Sequence, residues 1–318
     1  MVSLDVDERR LPMLTEGHEL AYKQSHLDRL SFTVTPLVIR YLPLVAGFIM
    51  NVGRIKDLTI RFHTDRAPFT DFSDTSTLKN QLDALATSLN FGKNKIQSLE
   101  IRVSGPVAPS IWESFFRKLK IPQLKEFKAS IPGMEYKTLC HVLVMHPEIR
   151  VIRLSYDPRV LRPGLLCPTI RANVYFPIQE LWCPPQTVST LLSENQNWDE
   201  LSAITLAPDY GSVLPAQHQW AQWLEDWNIC LRVIGGRSLT RLRLVLGIPA
   251  CPFPSSAPAV SIGSLHGVEH LILDVRHSPH LMHNVPEYLK AWLSSLTRVQ
   301  SVTLEGHPEL RDTSLAAS

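Results

Sequence analysis

Residues 96–101 read Ile-Gln-Ser-Leu-Glu-Ile, apolar at the first, fourth and sixth places and polar between them. In an extended chain alternate side chains face opposite ways, so Leu99 and Ile101 share one face and Glu100 takes the other. The same pattern begins nine more times, at Leu27, Ile55, Leu124, Ile149, Ile178, Leu201, Leu239, Val268 and Val299. Successive starts lie 28, 41, 28, 25, 29, 23, 38, 29 and 31 residues apart. A single strand cannot bury its own apolar face, whereas copies stacked side by side bury it for one another. A period of roughly 20 to 45 residues therefore marks a stacked solenoid, which offers one long surface rather than an enclosed pocket.

Helical periodicity fills the intervals. Leu78, Leu82, Leu85 and Leu89 recur at three- and four-residue steps, as do Ile111, Phe115, Phe116 and Leu119, and then Leu139, Leu143 and Val144. A longer stripe joins Trp220, Trp223, Leu224, Trp227 and Leu231, and its spacing suits packing on a sheet better than stacking on a ligand. Asn284, Pro286 and Glu287 form a start signal for a helix carrying Leu289, Trp292 and Leu296. A short helix fits around residues 187–193, and residues 170–176 fit an extra strand. The expected fold is an α/β solenoid of about ten strand–helix repeats, with an inner parallel sheet and outer helices. Residues 1–26 are expected to be an N-terminal cap or remnant segment, 27–308 a single solenoid, and 309–318 a frayed tail.

Composition narrows the partners. With 32 basic against 30 acidic residues, the net charge of +2 gives no general pull toward nucleic acid or an anionic membrane. The run from Leu37 to Val52 is too short for a bilayer span and contains Arg40 and Pro43, so it reads as a buried repeat helix. The first 26 residues hold no apolar secretory core, and the five cysteines include no CxxC pair. Reduced thiols in a cytoplasmic or nuclear protein are the expectation.

The segments from Leu27-Asp28-Arg29-Leu30-Ser31-Phe32 to Val299-Gln300-Ser301-Val302-Thr303-Leu304 resemble the leucine-rich repeat family, over roughly residues 27–306. That family's usual asparagine, three places beyond the third apolar residue, is replaced here by His63, Ser104, Pro132, Asp157, Gly247 and His307. Without it the inner turns must satisfy their backbone groups by other means. The long, irregular, tryptophan-containing repeats look most like those downstream of an F-box in fungal F-box proteins. That resemblance implies substrate recognition for an SCF-type ubiquitin ligase, reached through a Skp1-type adaptor. No F-box is recognisable in residues 1–26, although Leu11-Pro12 is present.

No catalytic motif is complete. Phe91-Gly92-Lys93-Asn94 lacks the first glycine and the hydroxyl of a phosphate-binding loop, and Gly263-Ser264-Leu265-His266-Gly267 puts its serine one place early for a hydrolase elbow. His277, His280 and His283 have metal-like spacing, but Pro279 disturbs any helix there, and neither metal nor cofactor is expected. The expected function is a non-catalytic interaction scaffold, with a degraded or partial paralogue, or a hydrolytic enzyme with an unrecognised site, as alternatives. The residues alternating with the core form an outward column: Ser31, Thr59, Glu100, Lys128, Arg153, Trp182, Thr205, Arg243, Ile272 and Thr303. Its flanking charges interleave in sign, the pattern of a solvated and mutually paired face. Arg61, Arg102, Lys128, Arg153, Trp182 and Arg243 nonetheless bring together residue types enriched at interface hot spots. They are the candidate partner-binding residues, suited to an acidic or phosphorylated protein or peptide segment. Acidic residues interrupt the patch, which argues against nucleic acid.

Overall fold

All ten sequence patterns become strands in a computed structural model of the chain. The structure describes residues 2–6, 27–35, 41–52, 55–62, 75–91, 95–104, 109–155, 176–194, 198–207, 229–235, 237, 239–245, 265, 267–274, 298–305 and 315–316. The chain divides into two units, Met1–Arg150 with Pro158–Phe176, and Val151–Asp157 with Pro177–Ser318.

The first unit is built from β1 (Val2–Val6), β2 (Leu27–Val34), α1 (Leu42–Val52), β3 (Asp57–Phe62), α2 (Thr75–Phe91), β4 (Ser98–Val103), α3 (Pro109–Lys118), β5 (Glu126–Ser130) and α4 (Tyr136–Met145). Its five strands are parallel and lie side by side in sequence order. The register puts like on like: Leu30, Leu58, Leu99 and Phe127 form one core column, and Phe32, Ile60, Ile101 and Ala129 the next. All eight are buried, at about 2 kcal/mol for each large side chain. Leu78, Leu82, Leu85 and Leu89 of α2 are buried as their spacing predicts, and so are Ile111, Phe115 and Phe116 of α3. In α4 the stripe is turned slightly: Leu139 and Leu143 are buried with Cys140 and Val142, while Val144 is half-buried.

Trp112 of α3 centres an aromatic cluster. Its ring meets Phe62 edge-on at 5.1 Å, and Phe115, Phe116 and Phe127 continue the edge-to-face chain at 5.2 and 5.7 Å. Outside this core, Asp83 of α2 accepts hydrogen bonds from Ser114 (3.0 Å) and Lys118 (2.6 Å) of α3. Lys137 of α4 bridges to Glu135 (2.8 Å) and to Glu113 of α3 (3.3 Å), and the Glu135 bond is the main cause of its raised pKa. After β5 the chain reverses at Ile131-Pro132-Gly133-Met134, where the Met134 amide donates to the Ile131 carbonyl (3.2 Å). Gly133 has φ +72°, which only glycine adopts without strain at the third place of a proline-containing turn.

The second unit holds β6 (Val151–Leu154), β7 (Glu180–Cys183), α5 (Pro185–Glu194), β8 (Ala203–Leu206), β9 (Arg241–Val245), β10 (His270–Asp274), β11 (Ser301–Glu305) and β12 (Leu315–Ala316). Strands β6 to β11 are parallel in sequence order, with Ile152, Leu181, Ile204, Leu242, Leu271 and Val302 in one core column. Strand β12 runs antiparallel to β11, a short pairing inside the stretch expected to fray. Helix α5 covers the short helix expected at 187–193 and starts on a proline, which lacks only an amide that a helix start leaves unpaired anyway. Arg237 donates to the Leu192 carbonyl (2.9 Å) in its last turn. Residues 229–235 are helical, with Cys230, Leu231 and Ile234 buried. Trp220, Trp223, Trp227, the Asn284 helix, residues 170–175 of the extra strand expected at 170–176 and the histidines at 277, 280 and 283 lie outside the described residues, and Phe176 is not in a strand. Gly267 earns its place by proximity, because a Cβ there would sit 3.1 Å from the Arg237 carbonyl oxygen.

A backbone link joins the starts of successive strands. In the first unit the Asp28 carbonyl accepts from the Lys56 amide (2.9 Å), Lys56 from Gln97 (2.7 Å), Gln97 from Lys125 (2.8 Å) and Lys125 from Arg150 (2.7 Å). In the second, Gln179, Ser202, Thr240 and Glu269 accept in the same way from Ser202, Thr240, Glu269 and Gln300. At the end of β4, Ser104 stands where the repeat family has asparagine, and its Oγ and amide both donate to the Phe62 carbonyl, at 3.0 and 2.9 Å. A hydroxyl thus replaces the missing carboxamide at this rung. The architecture is an α/β, leucine-rich-repeat-like solenoid of strand–helix repeats. Among the described residues no helix is long and apolar enough to cross a membrane.

Candidate functional site

The face of each sheet that carries the alternating polar residues holds the candidate side chains, and the register confirms their columns. In the first unit Ser31, Thr59, Glu100 and Lys128 align, flanked by Arg61 beside Arg102 on one side and Asp57, Ser98 and Glu126 on the other. The charges close on one another. Arg29 pairs with Asp57 across two strands (3.3 Å), Lys128 with Glu126 (2.9 Å) and Arg102 with Glu100 (2.5 Å). Ser98 adds a bond to Glu126 (2.8 Å) and Thr59 a long one to Glu100 (3.5 Å). The two bases Arg102 and Lys128 are therefore each balanced by a carboxylate two residues earlier in their own strand. This face has the mutually paired character that interleaved signs imply.

The second unit arranges its share differently. Arg153, Trp182, Thr205, Arg243, Ile272 and Thr303 form the middle row. Trp182 lies between two guanidiniums, Arg153 at 5.3 Å and Arg243 at 6.0 Å from its ring centroid, within reach of cation–π attraction. Arg243 reaches the ring across β8, where the small Thr205 stands between them. It also donates to Asp274 and Glu305, at 2.7 Å each. The Asp274 side chain is 2% exposed and that of Arg243 17%, so this is a largely buried ion cluster rather than a surface pair. Arg153 is more open, 35% exposed, and meets Glu180 at 3.4 Å.

Sequence reasoning placed Arg153, Trp182 and Arg243 in one column and missed the two acids that hold Arg243. The signal was present: Asp274 and Glu305 each lie two residues beyond a column member and so share its face. It also missed Arg29, the partner of Asp57. On the same face the His270 Nδ1 and the Ser301 Oγ are 2.8 Å apart. Hydrolysis would ask for a carboxylate orienting that imidazole, and the register neighbour of His270 on β9 is Arg241. Among the described residues no group of three or more histidine, cysteine or carboxylate side chains could hold a metal ion.

No protein-family model matches the chain, and no curated protein matches it. Among solved structures it is similar to a chain in a crystal structure of a yeast complex of Rad7 and Elc1, with 12% identity over 96% of this chain and 82% of that one and a TM-score of 0.31.

Proposed function

We propose that the chain is a non-catalytic protein-interaction scaffold whose partner lies on the polar face of its strands. The observation that carries this reading is the Arg153–Trp182–Arg243 row, an aromatic ring flanked by two arginines on a rigid parallel sheet. Aromatic and arginine side chains held in place by their neighbours are the residues that dominate binding energy at interfaces. The finer proposal is that the scaffold selects an acidic or phosphorylated substrate for an SCF-type ubiquitin ligase in the cytoplasm or nucleus. What supports it is the likeness of the repeats to those that follow an F-box in fungal F-box proteins. Affinity purification from the native cell, with mass spectrometry of what is recovered, tests it. A Skp1-type adaptor and a cullin at stoichiometric yield are expected. Recovery of other stoichiometric partners without them removes the ligase role and leaves the scaffold.

A further inference from the structure

One row of the second unit's polar face lies at the starts of its strands: Glu180, Ala203, Arg241, His270 and Ser301. Its last three members stand on neighbouring strands, roughly 4.8 Å apart. Arg241 and His270 are exposed and Ser301 is half-buried. Arg29, Arg102, Lys128, Arg153 and Arg243 each meet a carboxylate of the chain. Among the described residues the Arg241 side chain has no hydrogen bond or ion pair. The register accounts for the difference. Beside Arg241 stand Ala203 and His270, and the next residue on its face is Arg243, which Asp274 and Glu305 hold. Glu180 is two strands away and meets Arg153, and Glu269 precedes β10. The His270 Nδ1 and the Ser301 Oγ share one hydrogen at 2.8 Å. Either tautomer leaves that couple a further donor: the Nε2–H when serine donates, the serine O–H when Nδ1–H donates.

Resting on the scaffold reading, we infer that Arg241, His270 and Ser301 form the receptor for a phosphorylated serine or threonine of the partner protein. Charge and geometry together select this occupant. A phosphoryl group carries close to two negative charges and three acceptor oxygens on a tetrahedral centre. Two of those oxygens take the planar fork of the Arg241 guanidinium, and the third takes the donor left to the His270–Ser301 couple. A carboxylate has two oxygens in one plane, so the fork alone fills it and the couple contributes nothing. Ala203, on the other side of Arg241, brings only a methyl and no group that competes for the guanidinium.

Fluorescence anisotropy of the full chain tests this, with a fluorescein-labelled degenerate octapeptide pool that carries a fixed central phosphoserine. Pools with serine or glutamate fixed at the same place are the other arms. The phosphoserine pool is expected to bind about tenfold more tightly than either. Arg241→Gln should weaken it about tenfold, and His270→Phe and Ser301→Ala about threefold each. Arg117→Gln, on the outer surface of α3, changes nothing. Melting curves followed by circular dichroism confirm that each variant folds. Equal affinity for the glutamate pool, an affinity indifferent to Arg241→Gln, or no binding of the phosphoserine pool overturns the proposal. Complete displacement by an equimolar amount of inorganic phosphate also overturns it, because the site would then read a free anion rather than a segment. In each of these cases a stoichiometric partner recovered in the purification would leave the scaffold reading standing.

Discussion

His146 is the residue whose chemistry the sequence hid best. It follows α4, is 1% exposed, and donates Nδ1–H to the Val142 carbonyl at 2.8 Å, which leaves Nε2 buried as an acceptor without a hydrogen-bond partner. Burial is the main cause of its lowered pKa, with His141 adding to it against the Val142 bond. The unfolded chain therefore takes up a proton more readily than the folded chain, so stability falls as the pH drops through the range just below the ordinary value of 6.5. Between pH 7.5 and pH 5.5 the wild type should lose more stability than His146→Phe, measured by urea unfolding at both values. The Arg243 cluster answers a different experiment. Arg243→Met would take a cation from the buried Asp274 carboxylate and should cost about 3 kcal/mol, read by the same titration. Neither environment follows from local pattern. A histidine after a helix and an acid at a strand end look like surface residues until the packing around them is known.

Strands were the most legible elements, because a period of two, repeated ten times in one register, leaves little freedom in which face is buried. Helices α2 and α3 followed from their leucine and phenylalanine stripes for the same reason. Strands β1 and β12 were missed: each pairs with an edge strand of its unit through backbone bonds, and neither carries the six-residue pattern. Two substitutions probe the assignment of faces. Leu242→Asp places a charge at a position with 0% exposure in the core column, and the second unit should fail to fold, shown by loss of its melting transition. Arg153→Glu, one residue from the core in its own strand, breaks the pair with Glu180 and the contact with Trp182 and should cost about 1 kcal/mol, leaving the second unit folded. In the first unit Trp112→Ala removes the centre of the aromatic cluster and should destabilise by about 4 kcal/mol in a denaturant titration.

At the scale of the whole chain, the repeat spacing announced a solenoid, whereas the pairing of charges on the polar faces became visible only with the register. Interleaved signs in a sequence do not say which cation meets which anion, and Arg102, Lys128 and Arg243 prove to be engaged by acids of the chain itself. The backbone link between strand starts has a further consequence. Its rungs are made by amides and carbonyls of Asp28, Lys56, Gln97, Lys125 and Arg150 in one unit and of Gln179, Ser202, Thr240, Glu269 and Gln300 in the other, side chains with nothing in common. Alignment of one rib on the next is thus independent of residue identity at that place, and independent too of the detour between ribs, which varies from 23 to 41 residues. Such a chain can change nearly every outward side chain and lengthen its crossovers while its ribs stay in step. It can drift far from its kin and keep its shape, and new loops could be grafted between ribs at little cost to the frame.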